Sequence, residues 1–293
     1  MNNLEPLLEK LRSGSPILQR VALSELSMQR DPFTVEPIAA VMRSASRGVQ
    51  VEAARALVSI GEVSVPALIQ FFREDDRELW TLSSASLLML GQVAVQGLLE
   101  AARNESEQEQ TLAISVLGQI GDARPVEFLV EALQSDHPAI QTASAIALTR
   151  IGPPAVRQML KLVLQFDKPH LRATTLEIFR QMDVDAFPAL MAVIYESSDL
   201  ERTQAGWVLS EFGEQAVPYL RQGLQHTDKS VRYACVTALG QTRSPEAIPD
   251  LTMSLQDTEY VPSMGRMVCD AAYNALKLIG TDEALEAIEN WKK

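Results

Sequence analysis

Three histidines, two cysteines and a set of regularly spaced arginines are the side chains of this 293-residue chain with the most chemistry in them. His137, His170 and His226 each sit in a polar stretch. None opens a His-Glu dipeptide or an HExxH sequence, the spacing that gathers imidazoles and a carboxylate around a metal on one helix face. No P-loop, dinucleotide fingerprint or G-x-S-x-G elbow is present. Cys235 and Cys269 are too few for a disulfide framework or a four-thiolate site, and they fit a reducing compartment. The expectation is no catalytic residue, no metal and no cofactor. What remains is a recognition set in the C-terminal half: Arg172, Arg180, Arg202 and Arg232 with Trp207, Tyr233 and Tyr273. Arg and aromatic residues are enriched among those that dominate binding.

A repeat positions these residues. The string ALVSIG ends at Gly61, and variants of it end at Gly91, Gly121, Gly152, Gly213 and Gly280. Degenerate copies end at Arg30, Asp183 and Arg243, so nine anchors follow one another at 30 or 31 residues, with 37 before the last. Self-similarity at such a period signals a stack of small helical units. Each unit reads as two helices. The first opens at Pro37, Pro66, Pro125, Pro188, Pro218 or Pro249, since proline suits the start of a helix. The second stops at the anchor, where glycine suits the left-handed residue that ends a helix. The expected organisation is one array over residues 1–293, with repeats ending near 30, 61, 91, 121, 152, 183, 213, 243 and 280 and a capping helix at 281–293. Thr281 is its expected N-cap, with Lys292 and Lys293 at the negative end of its dipole. The segment EYVPSMG, around Pro262 and Gly265, lengthens the last repeat; it reads as a surface insertion, with projection toward a partner as the sharper alternative.

The V-P-x-L openings at Val65-Pro66 and Val217-Pro218, the D-x-x-V-R turn from Asp228 to Arg232 and the A-L-x-x-I-G close recur at fixed period over residues 4 to 291. In this the chain resembles the HEAT repeat family, specifically the short bacterial subclass called phycobilisome-lyase-like HEAT repeats. The resemblance implies an all-α fold, an α-α superhelix or HEAT-like α-solenoid of about nine helix pairs plus a C-terminal capping helix. It also implies that second helices line a concave groove, and that Asp–Arg pairs of the kind available at Asp167, Asp199 and Asp228 join successive repeats. The family includes scaffolds, chaperone-like factors and a few enzymes. Its di-iron hydroxylases need several His-Glu motifs, which this chain lacks.

Aligned on their anchors, the second helices separate into columns. Four residues before the anchor stand large apolar side chains, from Leu26 to Leu276; eight before it all are small, from Ala22 to Ala272, Cys235 included. Both columns read as core, the small one allowing close helix approach. Eleven before the anchor the column changes from Gln, as at Gln110 and Gln141, to Arg172, Arg202 and Arg232. It reads as a structural ladder between repeats. Away from the core face lie Val51, Thr81, Leu88, Thr111, Ile114, Thr142, Ile146, Arg180, Trp207, Tyr233 and Tyr273. A merely solvated helix face is rich in Glu, Lys and Arg; this one carries few charges, and it is the expected partner-binding groove. Trp207, Tyr233 and Tyr273 are expected to cluster at its C-terminal end.

The expected function is a non-enzymatic scaffold or regulator that binds a protein or peptide along this weakly polar groove. The alternative implied by the resemblance is a bilin lyase or lyase subunit, holding an open-chain tetrapyrrole with groups such as Arg172, Glu177, Arg180, Trp207, Tyr233 and Asp270. A HEAT-like DNA glycosylase is disfavoured, because net charge −12 and pI 4.8 oppose a phosphate backbone. No run of about 18 uninterrupted apolar residues suggests a membrane span, and the sequence opening MNNLEPLLEK has no signal-peptide pattern. A soluble, cytoplasmic protein is the expectation, with oligomeric state open.

Overall fold

The computed structural model describes residues 4–104, 106–163 and 169–291. Asp167, Lys292 and Lys293, to which the sequence assigned roles, lie outside these. All nine anchors take positive φ, from 51° at Arg30 and Asp183 to 93° at Gly61. The left-handed turn stops the preceding helix while its N–H still finds a carbonyl: Gly121 N–H donates to Leu117 O (3.2 Å) and Gly280 N–H to Leu276 O (3.0 Å). The repeat in the sequence is therefore a repeat in the backbone.

Contacts group the chain into an N-terminal unit, Met1–Ile151, and a C-terminal unit, Gly152–Lys293. The first contains the pairs α1 (Glu5–Arg12) and α2 (Pro16–Gln29), α3 (Val35–Ser44) and α4 (Arg47–Ile60), α5 (Val65–Gln70) and α6 (Arg77–Leu90), α7 (Val95–Ala101) and α8 (Glu107–Ile120), and α9 (Val126–Ala132) and α10 (Pro138–Ile151). Second helices α2, α4, α6, α8 and α10 pack on one another in chain order, and first helices α1, α3, α5 and α7 form a parallel layer. First helices start within two residues of the expected prolines. Val65 opens α5 with Pro66 second, Pro37 is the third residue of α3, and Pro125 N-caps α9. In the first turn proline's missing N–H leaves no bond unmade. The helical stretch Arg77–Ala101 is long and apolar enough to cross a membrane by length and composition. It is divided between α6 and α7 of successive repeats, with Gly91 at φ 60° between them.

The C-terminal unit pairs α11 (Val156–Val163) with α12 (Pro169–Met182), α13 (Phe187–Glu196) with α14 (Asp199–Ser210), α15 (Val217–Gly223) with α16 (Lys229–Thr242), and α17 (Ile248–Ser254) with α18 (Val268–Ile279). A final helix, α19 (Asp282–Trp291), packs on α17 and α18 through Ala284 and Ile288, and Thr281 Oγ1 accepts from Ala284 N–H (3.3 Å) as its N-cap. The lengthened last repeat holds the one β-structure among the described residues: β1 (Tyr260–Val261) and β2 (Arg266–Met267), antiparallel, with Tyr260 opposite Met267 and Val261 opposite Arg266.

Both predicted core columns are closed to solvent throughout, from Leu26 to Leu276 and from Ala22 to Ala272. The polar members of the small column need internal partners. Ser83 donates to Leu68 O and Thr175 to Leu171 O, while Ser144 Oγ is buried with no partner. Cys235 is buried too, its thiol pushed up to about 12 by desolvation; it packs against Gly223 and is no nucleophile at neutral pH.

Candidate functional site

The ten-before column supplies the most regular part of the second-helix face. Thr81, Thr111, Thr142 and Thr203 each donate the hydroxyl to a carbonyl one turn back in their own helix, at 2.7–2.8 Å. Their donors are thus used internally, and the face presents methyl groups and oxygen lone pairs. In the N-terminal unit Thr81, Leu88, Thr142 and Ile146 are exposed, and Val51 and Thr111 half-buried. Ile114 departs from expectation: it is fully buried. Its position, seven before the anchor, turns toward the next second helix, and α8 lies so close to α10 that a Cβ on Gly118 would fall 2.5 Å from the Ala147 Cα. Ile114 is a packing residue, and the same close approach buries Gly118.

In the C-terminal unit Arg180 is exposed and reaches Glu177 (3.8 Å) and Glu211 of the next repeat (3.6 Å). The expected aromatic trio divides. Trp207 and Tyr233, half-buried, line one pocket of about 220 Å³ between α14 and α16. Tyr273 instead pairs with Trp291 of α19, ring centroids 6.2 Å apart. Its helix position turns it toward the capping helix, which the column alignment did not take into account.

The β1–β2 hairpin supplies one wall of the pocket. Val261 is fully buried and anchors the ribbon, and Met264 at the turn lines the pocket with Trp207 and Tyr233. The insertion thus folds back onto the second-helix face. Thr203 and Thr237 contribute walls, their hydroxyls committed to Asp199 O and Tyr233 O (2.8 and 2.9 Å). Beside it the Arg172 guanidinium stands 4.3 Å from the Trp207 ring centroid, a cation–π contact between successive repeats. Met264 went unnoticed in the sequence. The signal was available: Pro262 and Gly265 between an aromatic-aliphatic pair and a second apolar pair are hairpin punctuation.

The eleven-before column turns back toward its own repeat. Gln19 donates to Leu11 O (3.2 Å), Gln50 to Met42 O (3.0 Å), Gln141 to Ser135 O (2.6 Å) and Gln110 to Asn104 O; Trp80 Nε1 does the same to Glu74 O (2.6 Å). Each satisfies a carbonyl where the first helix ends, one of the acceptors a helix terminus leaves orphaned. For Gln110 and Gln141 the inter-repeat ladder is therefore corrected to a cap within the repeat, because a Gln side chain reaches the near carbonyls and has no charge to draw it to the next repeat. Arg202 and Arg232 do both jobs. Arg202 binds Ile194 O (2.8 Å), Asp199 (2.9 Å) and Asp228 of the next repeat (3.0 Å); Arg232 binds His226 O (2.8 Å) and Asp257 of the next repeat (2.7 Å). Both guanidinium side chains are largely buried.

His137 and His226 sit in the turns between helices, and His170 is the second residue of α12. His137 is exposed near Glu107 (3.5 Å), and His226 stacks on Tyr195 (5.3 Å, 8° between planes) with Nδ1 accepting from Asp228 N–H. Among the described residues no group of three or more His, Cys, Asp and Glu side chains is placed to hold a metal. Of the groups a tetrapyrrole site would use, Arg172, Trp207 and Tyr233 lie together, whereas Asp270 accepts from Met267 N–H (2.9 Å) at the start of α18.

Tandem helix pairs, each closed by a left-handed residue and joined layer to layer, define an all-α protein of the α-α superhelix class. The chain belongs to the HEAT repeat family, whose pattern matches residues 4–88, 95–180 and 185–262. No curated protein matches it. Similar solved structures include an engineered protein (20% identical, covering 100% of this chain and 92% of that one, TM-score 0.34). Human deoxyhypusine hydroxylase in complex with glycerol is 21% identical over 86% of this chain and 98% of its own, TM-score 0.35. The CpcE–CpcF complex of phycocyanin lyase from Nostoc is 20% identical over 60% and 97%, TM-score 0.31.

Proposed function

We propose that this HEAT repeat protein is a non-enzymatic scaffold or regulator that binds a protein or peptide on its second-helix face, with the Trp207–Tyr233–Met264 pocket as anchor site. The observation that carries the reading is the chemistry of that pocket. Its walls are mainly aromatic, methyl and thioether groups, and both threonine hydroxyls among them are already committed to backbone carbonyls, so it favours an apolar side chain over a charged small molecule. Recognition sites of this kind are apolar pockets with a few polar groups at the rim, and Gln241 supplies an amide there. Panning a random-peptide phage library on the purified protein tests it. Peptides carrying a large apolar anchor are expected to enrich, to lose binding on Trp207→Ala or Tyr233→Ala, and to keep it on His137→Ala or Cys269→Ser. Their binding changes little between roughly 50 and 200 mM salt, because few exposed charges take part. Enriched peptides that survive both aromatic truncations, or that release steeply with salt, count against the reading.

A further inference from the structure

Among the described phenylalanines Phe33 stands apart: 86% of its surface is open, while the other six are buried or half-buried. It lies in the turn between the first two repeats of the N-terminal unit. The equivalent turns of the next two repeats carry Val63 (54% exposed) and Val93, each 30 residues on. Two residues before their anchors, α2 carries Met28 (78%) and α6 carries Met89 (69%), with Leu88 beside it. Like helices stack in chain order here, so these turns follow one another along one edge; Arg124 Nη2 reaches Gln92 O (2.8 Å) across two such turns. The fold does not demand apolar residues at this edge. At the matching turns and helix ends of the C-terminal unit stand mostly polar residues, Asp185, Glu211, Glu214, Gln215 and Glu246, beside the less exposed Val184 and Leu278 (43% each).

Six large apolar side chains at such exposures leave on the order of 600 Å² open, at the top of the range for the largest patch on an ordinary monomer. We propose that this edge is a self-association surface on which a second copy of the chain docks about a two-fold axis through Val63. The row Phe33, Val63, Val93 recurs every 30 residues on repeats that stack in chain order, so rotation about its middle member is expected to lay Phe33 on Val93 of the second copy and Met28 beside Met89. An isologous contact must be self-complementary in this way. Its area approaches the roughly 800 Å² per partner of a standard interface. Glu62, exposed beside Val63, brings two like charges together at the axis and tempers the affinity.

Sedimentation velocity on the full chain from about 1 to 100 μM tests the proposal, a range that covers a micromolar dissociation constant. A reversible dimer is expected. Phe33→Asp and Val63→Asp each weaken it roughly tenfold or more, Glu62→Gln strengthens it, and circular dichroism shows every variant folded. Trp207→Ala, in the other unit, leaves the dimer intact while abolishing peptide binding, so failure of this proposal is distinguishable from failure of the peptide-binding reading. A monomer at the highest concentration overturns it, as does a dimer indifferent to both aspartates. A dimer that Glu62→Gln leaves unchanged or weakens removes the axis at Val63. A strip that captures a different protein while the chain stays monomeric also overturns it.

Discussion

In the N-terminal unit the position eleven before the anchor is Gln or Trp and closes its own repeat; at Arg202 and Arg232 of the C-terminal unit it closes its own repeat and grips the next. Gln50 and Gln141 each make one bond, to a carbonyl six or eight residues back. Arg232 satisfies the carbonyl of His226 and adds a two-point contact to Asp257, 25 residues on. A charged, planar guanidinium has the reach and the fork of donors to cap a carbonyl and pair a carboxylate at once; a neutral carboxamide, with two donors on one nitrogen, lacks the charge and the geometry. The same slot is thus a helix cap in one unit and a cap plus inter-repeat clamp in the other. The edge turns diverge as well, apolar at Phe33, Val63 and Val93 but acidic at Glu214 and Glu246. A repeat conserves geometry at the anchors and in the core, and leaves the remaining positions to specialise by unit.

The largest expected difference comes from the ladder. Arg232→Ala lowers stability by roughly 2–4 kcal/mol, because it strands a mostly buried Asp257. Gln141→Ala costs about 1 kcal/mol, the worth of one neutral hydrogen bond. Equal losses in calorimetry would break the contrast, and Arg232→Gln, keeping the cap without the clamp, should fall between them. Next come the anchors. Gly91, at φ 60° and ψ −128°, occupies backbone space that side chains refuse, so Gly91→Ala costs roughly 1–3 kcal/mol. Arg243 holds the milder left-handed conformation (φ 53°, ψ 19°), and Arg243→Gly gains up to about 1 kcal/mol by relieving it. The melting temperatures of these two variants should move in opposite directions.

The smallest effect belongs to the acidic edge. Contact with Glu246 of the next repeat raises the Glu214 carboxyl above its usual range. An acid with a raised folded-state pKa gains stability as pH falls through that value and loses it above. Glu246→Gln should therefore raise the melting temperature slightly at pH 7 and leave it unchanged in acid. A shift of equal size at both pH values would show that the pair does not titrate.

Much of the fold was legible because helix ends are local. The nine anchors, including Arg30, Asp183 and Arg243, could be read from a recurring string, and each takes the left-handed backbone. The core columns were equally plain, since helical periodicity alone decides which side chains share a face. The candidate site was legible in part. Trp207, Tyr233 and the threonine column could be placed on the second-helix face, but their neighbours could not. Ile114 and Tyr273 sit on similar helix positions, yet one is sealed by the close approach of α10 and the other drawn to Trp291. Gln110 and Arg232 share a column and differ in reach.

By itself, then, the sequence determined the repeat, the anchors that end its second helices and the core columns, all of which depend on residues a few positions apart. Tertiary structure alone decided that Met264 lines the aromatic pocket, that Asp257 receives Arg232 and that Phe33 is left bare. Those outcomes depend on how closely separate helices approach and which surfaces remain uncovered, and distance between packed elements is not written in the spacing of residues along one helix.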